Sequence, residues 1–126
     1  MTKASDLAAL GGIIATPVGT APGYVCRAWV NFNGTTNVGG FCTVRASGNV
    51  TTVADNGTGD YTVNFTTVMP DANYAVAGSG VDSAGGAVSL ETYSTGTILV
   101  GSVRVLSRNS GVGVQDNALI SVAIFR

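Results

Sequence analysis

The chain has no histidine, one lysine, one glutamate and one tryptophan, and only two cysteines in 126 residues. Each scarcity closes a class of chemistry. Without histidine there is no Ser–His–Asp or Cys–His nucleophilic site. Cys26 and Cys42 alone cannot fill the four positions of a zinc site. A paired-carboxylate hydrolase needs two acids converging in a cleft. Here the acids are Asp6, Asp55, Asp60, Asp71, Asp82, Glu91 and Asp116, most of them at turn signals. Aspartate is favoured there because it hydrogen-bonds its own backbone. The reading is of a protein with no catalytic residues, no cofactor and no metal.

Charge is scarce as well. Charged residues make up 10% of the chain, against about 25% in an average globular protein. The six basic and seven acidic residues are scattered singly, for a net charge of −1. Nothing forms the basic patch that nucleic-acid binding by counterion release needs. No apolar run approaches the roughly 18 residues of a membrane-spanning helix, so no membrane insertion is expected. A surface with so little charge is expected to be covered in part by another subunit.

The first 23 residues are expected to be an appendage: an N-terminal anchor and linker. Residues 3–10 suit about two helical turns, capped by Ser5 or Asp6 and stopped by Gly11 and Gly12. Leu7, Leu10, Ile13 and Ile14 are the candidate anchor residues, and Pro17, Gly19, Pro22 and Gly23 make the linker. The segment lacks the apolar core of a signal peptide. The cysteines are therefore expected to be small, buried thiols. A hairpin centred near Gly34 would also allow a cross-strand disulfide.

From Tyr24 onward the period is two. Tyr24, Cys26, Ala28, Val30 and Phe32 point one way, with Val25, Arg27, Trp29 and Asn31 opposite. Asn33-Gly34 is expected to turn the chain. Strands are expected at 41–46, 50–54, 60–67, 73–78, 87–93 and 98–106, with Asp55–Gly59 as a hairpin loop and 107–114 as a Gly-rich loop. Residues 117–126 are apolar enough for a central strand covered on both faces. About eight short strands, with turn signals every 8–12 residues, predict an all-β domain over 24–126: an antiparallel, jelly-roll-like β-sandwich.

The remaining motifs are weak. Asp55–Asp60 (DNGTGD) lacks the ligand spacing of a calcium loop and reads as a turn. Gly78-Ser79-Gly80 is followed by neither a third glycine nor a helix, so it is no dinucleotide fingerprint. Asn-x-Thr triplets at Asn33, Asn49, Asn56 and Asn64 are chance products of a chain rich in both residues. Tyr61 and Tyr74 are expected in the core. Arg27, Arg45 and Arg104 are read as outward strand residues or as partners of Glu91 and the aspartates. Trp29 and Arg27, on one face, and Tyr93, beside the Ser94–Gly96 turn, are candidate interface or receptor contacts.

Three segments carry a resemblance: AWVNFNGT (28–35), VRASGNVTTVADNGTGDYTVNFTT (44–67) and MPDANYAVAG (69–78). Together with the closing ISVAIFR (120–126), they resemble a module of tail-fibre and related virion surface proteins of tailed bacteriophages. The Asn-Gly-Thr-Gly-Asp-Tyr turn and strand is its most specific part. The resemblance implies an all-β, commonly trimeric, non-enzymatic domain displayed on the virion. The expected function is a tail fibre or receptor-binding knob held by its N-terminal segment. The alternative is a capsid decoration, cement or head-fibre protein, with a glycan-active enzyme as the third reading. Implied partners are further copies of the chain in a homotrimer, other tail or capsid proteins, and a host surface glycan or protein. This chain departs from the module in its short N-terminal segment, in Cys42, and in the longer loop at 37–40.

Overall fold

The structure, a computed structural model, describes residues 25–126. The candidate anchor residues Leu7, Leu10, Ile13 and Ile14 lie outside the described residues. Ten strands follow in order: β1 (Cys26–Val38), β2 (Phe41–Gly48), β3 (Val50–Gly57), β4 (Asp60–Phe65), β5 (Ala75–Val81), β6 (Val88–Thr92), β7 (Ile98–Leu99), β8 (Ser102–Asn109), β9 (Gly113–Val114) and β10 (Leu119–Phe125). A single 3-10 turn, Thr95–Thr97, precedes β7. The protein is all-β, and the paired strands run antiparallel.

The strands are ordered β5-β10-β1-β2-β3-β4-β8-β6, with β7 and β9 pairing to β8. Hydrogen bonding is unbroken through one sheet, but it thins to a single pair, Phe41 with Ala54, between β2 and β3. The sheet curls on itself, so that the inward side chains of one half (β5, β10, β1 and β2) share a single core with those of the other (β3, β4, β8 and β6). At the far side β5 and β6 meet through side chains. A Cβ on Gly78 would collide with Leu90, and one on Gly80 would lie 2.6 Å from Val88 Cγ1. Bare backbone on β5 thus leaves room for the β6 side chains to close the core.

Alternation decides what fills that core. Ala28, Val30 and Phe32 on β1, and Ile120, Val122 and Ile124 on β10, are buried. Tyr61, Val63 and Phe65 on β4, with Val103 and Val105 on β8, meet them from the other half. Phe32 and Tyr61 pack edge to face with ring centres 5.1 Å apart, as do Phe65 and Tyr74 at 5.9 Å. Such pairs add to stability beyond the area they bury.

Several expectations are corrected. Asn33-Gly34 does not turn the chain; β1 runs on to Val38. Gly34 N donates to Asn117 O at 2.9 Å, and Gly34 O accepts the Tyr61 hydroxyl at 3.0 Å. These bonds hold Gly34 in the sheet, and a Cβ there would strike that hydroxyl. The turn moves to Gly39 and Gly40, with φ of 62° and 88°. The register pairs Asn33 with Thr43 and Cys26 with Phe125. About eight residues of strand, on the order of 25 Å, then separate Cys26 from the level of Cys42, far beyond disulfide reach. Both thiols are free; Cys42 is buried, but Cys26 is exposed because a bulge between Cys26 and Ala28 breaks the alternation. The expected loop at 107–114 is largely strand: β8 continues to Asn109 and β9 follows. Asn117 makes this possible by donating to Ser107 Oγ and Asn109 Oδ1, both at 2.7 Å, so buried polar groups are paired. Finally, β10 is central but, among the described residues, covered on one face only.

Candidate contact surfaces

The curl gives the molecule two outer faces with different chemistry. On the β3-β4-β8-β6 half the outward positions carry charge. Arg104 grips Asp60 with two hydrogen bonds, at 2.8 and 2.6 Å, and Arg108 reaches Glu91 at 2.9 Å. Arg104 also lies 3.9 Å from the centre of the Tyr93 ring, a cation–π contact. Tyr93 is 48% exposed, as a residue at a turn should be. The Arg104 guanidinium holds the Asp60 carboxyl below its usual range, against the opposing effect of partial burial.

That pairing makes a testable statement about acid stability. Because the folded pKa of Asp60 is depressed, its contribution is present above the unfolded value of about 3.9. It is lost as the pH falls through the folded value. Asp60→Asn should lower the thermal midpoint by a few degrees at neutral pH, and the gap to wild type should close as the pH falls through the depressed folded value. An undiminished gap in acid would assign the loss to geometry rather than charge.

On the β5-β10-β1-β2 half the outward positions are small and neutral. One row reads Gly48, Trp29, Ala123, Ala77 across β2, β1, β10 and β5. The next reads Ala46, Asn31, Ser121, Ser79. Asn31 donates to Ser121 Oγ at 2.8 Å. Together they form a shallow trough of about 440 Å³ floored by alanine, serine and glycine and walled by Trp29. The indole lies on Gly48, where a Cβ would be 2.5 Å from Nε1. Trp29 is nonetheless 44% exposed, and Val81, Leu119 and Phe125 are exposed around the trough. Neither β5 nor β10 carries a charged residue. Arg27 and Arg45 belong to this half: Arg27 turns to its end and donates to Arg126 O, while Arg45 reaches over β1, donating to Asn31 Oδ1 at 3.5 Å and to Ala118 O. Arg27 and Trp29 therefore share one face, and Tyr93 stands on the other. The three candidates do not form one site.

The sequence reading missed the trough. Its signal was present: at the centre of these strands the outward residues, Ala77 and Ser79 on β5 and Ser121 and Ala123 on β10, are small. Asn49 was missed too. With φ of 55° it reaches across the sheet corner, donating to Arg27 O and Thr67 O and accepting from Thr67 N. Asparagine tolerates that conformation better than most side chains.

The aspartates act as turn residues. Asp55 accepts from Gly57 N, Asp71 from Asn73 N and Asp82 from Ala84 N. Asp71 also pairs with Arg126, which lowers its pKa to about 2. Burial first, then Asp55 and Asp116, pushes the Cys42 thiol up to about 12. It stays protonated near neutrality and is no nucleophile. Among the described residues, no group of three or more His, Cys, Asp or Glu side chains is placed to hold a metal, and no helix is long and apolar enough to cross a membrane. No family model, no curated protein and no solved structure matches this chain.

Proposed function

We propose that this chain is a bacteriophage virion structural protein, a tail-fibre or receptor-binding knob attached through its N-terminal segment and assembled as a homotrimer. The observation that carries the reading is the use made of the DNGTGDY segment, the most specific part of the resemblance. Asp55, Asn56, Asp60 and Tyr61 are all spent on hydrogen bonds that shape the hairpin and its corner, leaving a rigid display unit. The outward face of neutral, small residues suits contact with neighbouring protein, and Tyr93 with its stacked Arg104 suits contact with a host surface glycan or protein. Residues Leu7, Leu10, Ile13 and Ile14 would supply the attachment, with other tail proteins as partners. A capsid decoration, cement or head-fibre role is the second reading, favoured by the breadth of the uncharged face. A glycan-active enzyme is the third reading, and against it the described acids Asp55, Asp71 and Asp82 are engaged at turns and Asp60 and Glu91 with arginines.

Quantitative mass spectrometry of purified virions tests the proposal. A tail fibre should occur at the low copy number set by tail symmetry, a decoration protein at the copy number of the capsid lattice. Absence of the chain from virions altogether would overturn the proposal, and a lattice-scale count would move it from tail to head. Deleting residues 1–23 should leave a folded domain that no longer incorporates.

A further inference from the structure

By sequence β10 is expected to be covered on both faces, yet among the described residues its outer face stands open. We infer that the outer face of β5, β10 and β1 is where a second copy of this chain docks, with Trp29 of one copy seated in the small-residue trough of its neighbour. The inference rests on the reading of the chain as a self-assembling structural domain, and it names the surface that does the assembling.

Four observations select a second copy as the occupant. The first is charge. A partner for this face must be neutral at its centre, because a charge buried there would find no counter-ion. The same face of another copy meets that condition over β5 and β10, which carry no charged residue, while Arg27 and Arg45 stay on the β1 and β2 side. The second is shape. A fixed ridge and a trough lie side by side, offset by one or two strands, about 5–10 Å. A surface that carries a knob beside a hole can close head to tail, the knob of each copy entering the hole of the next, as a trimer requires. The indole is already held on Gly48, so little side-chain freedom is lost on docking, as suits an aromatic anchor. The third is extent. Three strands by seven residues project about 340 Å², which would form the core of an interface that usually covers about 800 Å² per partner. The fourth is the sheet edge. Beyond β10, β5 ends the hydrogen-bonded order beside the β6 side chains, without a lysine, a proline or a bulge, the devices that keep exposed edges from pairing. A neighbour lying on this face would shelter that edge.

Trp29 is the only tryptophan in the chain, so its emission reports on this face alone. Sedimentation of the purified full chain from about 1 to about 100 μM, the range where interfaces of this class associate, should show a multiple of the chain mass. Trp29 emission should be blue-shifted and resistant to acrylamide in the assembled form, and shift red on dilution. Ala77→Glu places an unpaired carboxylate in the trough and should weaken association at least about tenfold, with circular dichroism and thermal unfolding retained. Ser89→Glu, on the opposite outer face, should leave association unchanged. If Ala77→Glu does not fold, Ser79→Lys makes the same test. A monomer at the highest concentration overturns the inference, as does an Ala77→Glu protein that associates like wild type. A monomer with a shielded Trp29 overturns it in favour of residues 1–24 of the same chain. Association through this face in a protein absent from virions would spare the inference and sink the virion proposal; a monomeric virion protein would sink the inference and the homotrimer while sparing the virion role.

Discussion

Tyr61→Ala should destabilise the fold by about 4 kcal/mol, on the scale of emptying a buried aromatic site. Tyr61 is fully buried and sits where the two halves meet. Its ring packs against Phe32, and its hydroxyl bonds both Gly34 O and Asp116 Oδ1. Asp116 Oδ1 in turn accepts from Gly59 N at 2.6 Å. One side chain thus ties β1, the β3–β4 hairpin and the segment leading into β10. Tyr61→Phe keeps the ring and removes only the hydroxyl, so the expected loss is about 1–2 kcal/mol. Urea unfolding of the three proteins separates packing from hydrogen bonding. A phenylalanine variant as stable as wild type would show that the hydroxyl contributes nothing.

The same residue governs alkaline behaviour. Burial, with the hydrogen bond to Asp116, raises the Tyr61 pKa. Because the folded value lies above the unfolded one, the contribution of the neutral phenol is fully present below about pH 10. It is lost as the pH rises through the folded value. Tyr61→Phe should remove that part of the alkaline loss, so its stability curve should fall less steeply above about pH 10.

Gly59→Val should cost about 3–4 kcal/mol, by two effects that a second glycine separates. Gly59 has φ of 62°, which costs a β-branched residue about 1–2 kcal/mol. A Cβ there would also lie 2.5 Å from Gln115 N and 2.8 Å from Gln115 O. Those are backbone atoms, and Gln115 N is engaged with Ser107 O, so yielding would strain the β8–β9 segment by about 2 kcal/mol more. Gly39 has the same φ of 62° with nothing within 4 Å of its Cβ position. Gly39→Val should therefore show the conformational cost alone. Equal losses at the two sites, measured by denaturant midpoint, would refute the close-approach contribution.

Much of the fold was legible because burial in a sheet has a period of two. Tyr61, Val63 and Phe65, alternating with Thr62 and Asn64, announced both the strand and its inward face. Asp55–Gly59 announced its hairpin through turn chemistry. Asn33-Gly34 misled for the opposite reason: the dipeptide has the local chemistry of a turn, but Gly34 is kept in the strand by Tyr61 and Asn117, both distant in sequence. Residues 107–114 misled in the same way, since Asn117 satisfies the polar groups that would otherwise need water. Among the candidate contacts, Trp29 was correctly placed outward. Its trough was not seen, because small residues give no signal until neighbouring strands align them.

The sequence by itself determined an all-β, antiparallel domain with its aromatic core, since strand alternation and turn residues are local properties of the chain. Only the tertiary structure decided how the sheet curls, which strands end its hydrogen-bonded order, and that one outer face carries paired charges while the β5 and β10 part of the other is uncharged and, among the described residues, open. Those outcomes depend on register between β1, β10 and β5, segments drawn from both ends of the domain, and a one-residue shift in any pair would have turned the small residues inward.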